Sequence, residues 1–308
     1  MLRAHLRVGI AAWLLLAAVG AEAQQGREVP VFSAELALVK VTVSVEDSRG
    51  QTVPGLAARD FVVREDGHEV PVAVCARADD PAVDANLALD LALLVDTSES
   101  MLENLRLSQQ AAARFLTDIP HARDLLVVLF DQQRRILRFD TDRPEDLFAA
   151  LAAVPAGGNT ALRDAIDATL AGLRSRDGRT AMVLLTDGHD TVSRVLPAAL
   201  DRTLQGSPVT IYPIAMRGGD LDDETASQAY AFLEHLARLT GGRAHRLTQE
   251  QSLPAIFSAI LADLRGQYVI GYVPPRSLRE NGYRKIKVEV KRRRGLSLRH
   301  RPGYRPLP

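Results

Sequence analysis

The chain has 308 residues, 46% of them hydrophobic and 25% charged, which is an ordinary globular balance with room for one large domain or two modest ones. Its 38 Lys and Arg offset 38 Asp and Glu at pH 7, so the overall charge singles out no partner class. The single cysteine, Cys75, excludes an intrachain disulfide and any cysteine-based zinc site, and reads as a small buried hydrophobe at a strand end.

Residues 1–23 read as a signal peptide rather than as part of the fold. Arg3, His5 and Arg7 make a basic start, residues 8–20 are apolar, and Ala21-Glu22-Ala23 is a small-x-small cleavage site with the cut after Ala23. The apolar run is short for a membrane span, and an uncleaved anchor is the alternative. No cysteine follows to carry a lipid. The expectation is a secreted or periplasmic protein with no transmembrane segment after cleavage.

Residues 24–85 form an N-terminal β segment and linker. Residues 36–46 alternate with period two and are rich in β-branched side chains, residues 47–50 and 51–55 are turns, and 61–65 is a strand. Asp66-Gly67 is a hairpin signal, with a return strand over 68–74. Residues 76–85, with Asp79, Asp80, Pro81 and Asp84, read as linker. So few strands make a poor core alone and need partners.

Residues 86–266 alternate between strands and helices, the pattern of a doubly wound, mostly parallel α/β sheet. Residues 89–95 are almost wholly apolar, as in a strand buried on both faces, and break at Asp96-Thr97-Ser98-Glu99-Ser100 before a helix from Leu102. Strands follow at 124–130 and 134–139, the second joined by too short a turn to be anything but an antiparallel edge. Helices are expected over 144–154 and 161–173, a buried strand over 180–186 ending at Asp187-Gly188, then a helix over 196–204, a strand over 209–215 and a helix over 225–239 capped by Gly241. A short strand at 243–247 and a helix over 253–265 close the unit. Residues 267–308 return to β, with strands over 268–273, 283–290 and 296–301. Strand sets at both ends, each too small alone, suggest one composite β-domain with the α/β unit inserted in it.

The chemistry gathers at strand ends. In a doubly wound sheet, ligands collect beyond the carboxyl ends of strands where strand order reverses. With the strand at 89–96 central, Asp96 and Asp187 end neighbouring strands on one edge. Ser98 and Ser100 follow Asp96 at alternate positions, and Gly157-Gly158-Asn159-Thr160 enters a helix at the same edge. Two carboxylates and three hydroxyls are hard oxygen donors suited to magnesium, with manganese as the alternative ion. Each hydroxyl alone could equally be a helix N-cap.

These pieces resemble the von Willebrand factor type A domain. Asp96-Thr97-Ser98-Glu99-Ser100 corresponds to its Asp-x-Ser-x-Ser segment, Thr160 to its threonine and Asp187-Gly188 to its second aspartate. Within that family the chain is most similar to bacterial exported members, through residues 47–66, Leu239-Thr240-Gly241-Gly242-Arg243, Gly271-Tyr272, Lys285-Ile286-Lys287-Val288 and Gly303-Tyr304. The resemblance implies a metal-ion-dependent adhesion site. Ser98 and Ser100 would meet magnesium directly, Thr160 directly or through water, and Asp96 and Asp187 would hold coordinated waters. It also implies an unidentified protein partner offering an Asp or Glu carboxylate, and no enzymatic activity.

Other features are weighed against this. A serine hydrolase built on Ser98 or Ser100 with His189 lacks the Gly-x-Ser-x-Gly elbow, and phosphoryl transfer lacks a Gly-rich Lys-Ser/Thr loop. A structural envelope protein without metal-gated binding is the third reading. Glu99 is expected to face solvent, as are His189 and Asp190. Asp220, Asp222, Asp223 and Glu224 read as a helix-starting acidic turn. Lys291-Arg292-Arg293-Arg294 reads as a solvated hairpin, and no nucleic acid partner is expected.

Overall fold

A computed structural model describes residues 38–80, 88–119, 122–138, 149–173, 178–219, 221–291 and 293–306. The expected signal peptide and Asp220 lie outside the described residues, as do residues 81–85 of the linker and residues 144–148 of the helix expected over 144–154.

In chain order the strands and helices are β1 (Val39–Glu46), β2 (Phe61–Glu65), β3 (His68–Val70), β4 (Val72–Arg77), β5 (Leu89–Asp96), α1 (Leu105–Asp118), β6 (Ala122–Phe130), β7 (Arg134–Arg138), α2 (Leu162–Gly172), β8 (Arg179–Thr186), α3 (Pro197–Gly206), β9 (Val209–Ala215), α4 (Asp223–Thr240), β10 (His245–Arg246), α5 (Leu253–Gly266), β11 (Tyr268–Tyr272), β12 (Arg284–Val290), β13 (Ser297–Arg299) and β14 (Gly303–Tyr304).

The six-stranded sheet runs β10-β9-β8-β5-β6-β7. All its pairs are parallel except β6 with β7, so the short turn at Asp131 does produce the antiparallel edge. Every residue of β5 is buried. Leu91, Leu93 and Val95 pack with α1 and α5 on one face, where the rings of Phe115 and Phe257 stack at 4.4 Å. Ala92 and Leu94 pack with α2, α3 and α4 on the other. The unbroken apolar run is thus two interleaved core faces, and truncating Leu93 to Ala would cost about 2–5 kcal/mol.

The two ends of the chain build two antiparallel sheets, β13-β1-β11-β4 and β14-β12-β2-β3, around one shared core of Val41, Val43, Phe61, Val63, Ile270 and Val288. β1 lies between β11 and β13, and β12 lies between β2 and β14. Neither end could satisfy its strand edges without the other.

Several boundaries differ from expectation for local reasons. The single return strand expected over 68–74 is two strands in different sheets, parted at Pro71, which has no N–H to continue a ladder. β4 then runs to Arg77, into the expected linker. The strand expected over 296–301 is only β13, Ser297–Arg299, and a further strand, β14, follows Pro302 in the other sheet. The helix expected from Leu102 starts at Leu105, after a 3-10 turn over Glu99–Met101.

The β-sandwich is fastened to the α/β unit by charged side chains. Arg301, almost wholly buried, donates to the carbonyls of Gln205 (2.6 Å) and Ser207 (2.9 Å) at the end of α3. A guanidinium there satisfies orphan carbonyls and complements the negative end of the helix. Glu46 of β1 meets Arg243 and Arg299, and Arg299 also meets Asp263 of α5.

Candidate metal centre

β5 and β8 are neighbours, so Asp96 and Asp187 leave the same sheet edge side by side. Both are buried, Asp96 completely and Asp187 to within 4%. Asp96 Oδ2 accepts a hydrogen bond from the Thr186 hydroxyl at 2.6 Å, and Asp96 Oδ1 accepts one from the Ser98 N–H at 2.9 Å. The hydroxyls of Ser98 and Ser100 lie 3.3 Å apart. Asp187 Oδ1 accepts from the His189 N–H at 3.0 Å, whereas the buried Asp187 Oδ2 has no hydrogen-bond partner among the described residues.

The third segment is pinned to the first by its backbone. Gly157 N–H donates to Thr97 O at 2.9 Å, and Glu99 N–H donates to Gly158 O at 3.1 Å. Gly158 takes φ +79°, a left-handed turn that a side chain would strain. Thr160 follows, buried, with its N–H donating to the Thr191 hydroxyl at 2.9 Å and its carbonyl accepting from the N–H groups of Thr191 and Val192. The segments carrying Asp96, Thr160 and Asp187 are therefore three contiguous loops at one sheet edge.

The electrostatics of this edge are unbalanced. Burial pushes the Asp96 carboxyl up to about 7 and the neighbouring Asp187 charge adds to this, against the hydrogen bonds from Ser98 and Thr186. Two buried carboxylates with an orphan oxygen are costly unless a cation or a proton compensates them. Among the described residues no three His, Cys, Asp or Glu side chains form a metal-holding cluster, so a cation here would depend on hydroxyl oxygens as well. Among the described residues neither Ser98 nor Ser100 has a histidine ring as hydrogen-bond partner.

Residues 91–189 match the sequence profile of the von Willebrand factor type A domain. The chain carries a von Willebrand factor type A domain. Similar solved structures include a von Willebrand factor type A protein from Catenulispora acidiphila, 17% identical over 87% of this chain and 73% of that one, with a TM-score of 0.47. The open conformation of the pilus adhesin SpaC from Lactobacillus rhamnosus GG is 10% identical over 85% of this chain and 47% of that one, with a TM-score of 0.50. An aerotolerance-related membrane protein from Bacteroides fragilis is 14% identical over 57% of this chain and 98% of that one, with a TM-score of 0.46. At these identities the likeness is one of fold. No curated protein matches the chain significantly.

Von Willebrand A domains are generally interaction modules rather than enzymes. In this one, several supporting residues went unnoticed in the sequence. Thr186 bridges the two strand ends by donating to Asp96 and accepting the Gly188 N–H at 3.0 Å. Its signal was a lone hydroxyl ending an apolar run. Asp190, expected in a solvated loop, accepts from Arg163 N–H at 2.8 Å and from the Ser193 hydroxyl at 2.7 Å, so it braces the Asp187 loop against α2. Gly218 passes so close that an added Cβ would lie 2.6 Å from Asp187 Oδ2. Glu99 is exposed as expected, and Asp222 caps α4 by accepting the Thr225 N–H at 2.7 Å.

Proposed function

We propose that the chain is an exported interaction module that binds a protein partner through a divalent cation, magnesium or manganese, at Asp96, Ser98, Ser100, Thr160 and Asp187. The observation that carries this reading is the orphan Asp187 Oδ2, buried beside a second buried carboxylate whose proton affinity is raised. A donor set of carboxylate and hydroxyl oxygens suits a hard cation and offers nothing to a soft one.

In this reading the Ser98 and Ser100 hydroxyls supply neutral oxygens, with Thr160 as a third, while Asp96 and Asp187 hold coordinated waters. The cation, when bound, would offer an open coordination position to an Asp or Glu carboxylate of the partner. Neutral inner ligands leave it electron-poor and receptive to that foreign acid. Thr186 and the Ser98 N–H keep Asp96 oriented, as outer-shell groups commonly do for metal ligands. Export rests on the basic-apolar N-terminus; among the described residues no helix is long and apolar enough to cross a membrane.

Calorimetry tests the site. Chelator-stripped protein should take up magnesium, and Asp96→Ala and Ser98→Ala should abolish the uptake with the fold intact by circular dichroism. A pull-down from native cell-envelope extract should then retain a partner in magnesium and lose it in chelator. A partner retained in chelator and by Asp96→Ala would favour a structural envelope protein instead.

A further inference from the structure

Beside Asp187, at the carboxyl ends of β8, β9 and β10 and under the start of α4, lies a cavity of about 370 Å³. Met216, Leu221 and Leu247 contribute apolar side chains to its lining. Its wall toward Asp187 is bare backbone at Gly218, where a side chain would meet both the Asp187 carboxylate and Leu221. The next residue, Gly219, donates its N–H to Ser100 O at 3.1 Å. The cavity and the five-residue site thus share one wall.

Arg246 lines the cavity with its guanidinium stacked on the Tyr230 ring, 3.9 Å from the centroid. Stacking occupies the face of the guanidinium and leaves its in-plane N–H fork available, the edge that grips a carboxylate bidentately. Among the described residues Arg246 has no carboxylate partner. Arg217 adds a second cation to the lining and Asp223 an opposing carboxylate at the exposed rim.

We propose that this cavity is a second anchoring subsite, taking an acidic side chain of a partner segment with its stem against Met216, Leu221 and Leu247 and its carboxylate on Arg246. The proposal rests on the metal-dependent reading above and sharpens it. The partner would present two acidic residues a short distance apart, one toward the Asp96–Asp187 edge and one toward Arg246. A pre-stacked arginine makes the second contact directional and costs little side-chain ordering.

The test uses synthetic peptides with two glutamates separated by glycine spacers of increasing length, and their single Glu→Gln counterparts. Each is titrated into the full chain in magnesium and in chelator, with the Arg246 Nε–H resonance as readout. At one spacer length the two-glutamate peptide should bind about tenfold more tightly in magnesium than either single-glutamate peptide, the scale of a charged hydrogen bond. Arg246→Gln should remove that advantage while leaving magnesium-dependent binding of the single-glutamate peptides unchanged, and Arg246→Lys should restore only part of it. In chelator the Arg246 resonance should still shift with peptide. Equal binding of two-glutamate and single-glutamate peptides at every spacing, or an advantage that survives Arg246→Gln, would overturn the subsite. Loss of all magnesium dependence with the Arg246 shift retained would overturn the metal reading and leave the subsite standing.

Discussion

The Thr186 hydroxyl donates to Asp96 Oδ2 at 2.6 Å, so the last residue of β8 holds the last residue of β5. One buried hydroxyl thereby sets the orientation of a carboxylate on the neighbouring strand. Thr186→Val keeps the shape and removes the donor. It should cost about 1–3 kcal/mol by chemical denaturation, because Asp96 Oδ2 is left buried and unpaired. It should also weaken magnesium uptake by about 10-fold or more in calorimetry.

Asp96 and Asp187 burden each other in the absence of a cation. Asp96→Asn should therefore raise the melting temperature of chelator-treated protein, while the magnesium-induced rise seen in the parent chain disappears. A fall in melting temperature for Asp96→Asn in chelator would contradict the electrostatic account.

His245 gives a pH dependence of its own. Burial, with help from Arg243 and Arg299, lowers its imidazole from the ordinary 6.5 to about 4, against the opposing charges of Asp263 and Glu46. As pH falls, the unfolded chain takes up the proton before the folded one. This contribution is complete above the unfolded value and is lost as pH falls from about 6.5 to about 4, by on the order of 3 kcal/mol. His245→Gln should flatten the urea midpoint over that window relative to the parent chain.

Arg284 locks the β-sandwich. It is fully buried, donates to the carbonyls of Arg276 (3.0 Å) and Ser277 (2.5 Å), and faces Glu65, which also accepts from the hydroxyls of Tyr272 and Tyr304. Arg284→Ala leaves the Glu65 charge without its cation and should cost about 3–5 kcal/mol. The companion Arg284→Met, Glu65→Leu pair should recover much of the loss, as read by thermal denaturation.

The parallel sheet was legible because a strand covered on both faces must be apolar at nearly every position, as residues 89–95 and 181–185 are. The edge at β7 was equally plain, since three residues cannot span a crossover. Asp96, Ser98, Ser100 and Asp187 stood out because polar side chains interrupt those runs abruptly. Asp190 and Gly218 did not, because an aspartate in a polar loop and a glycine before another glycine look alike whether they brace a site or drift in solvent.

The sequence by itself determined where strands end and which oxygen donors stand there, for burial and backbone pairing leave their mark residue by residue. Only the tertiary structure decided which strands share a sheet in the β-sandwich, where β1 pairs with β11 across the whole inserted unit. Only it brought Arg246 and Tyr230 to the wall behind Asp187. Contacts between residues far apart in the chain depend on how whole layers stack, and no local pattern encodes that.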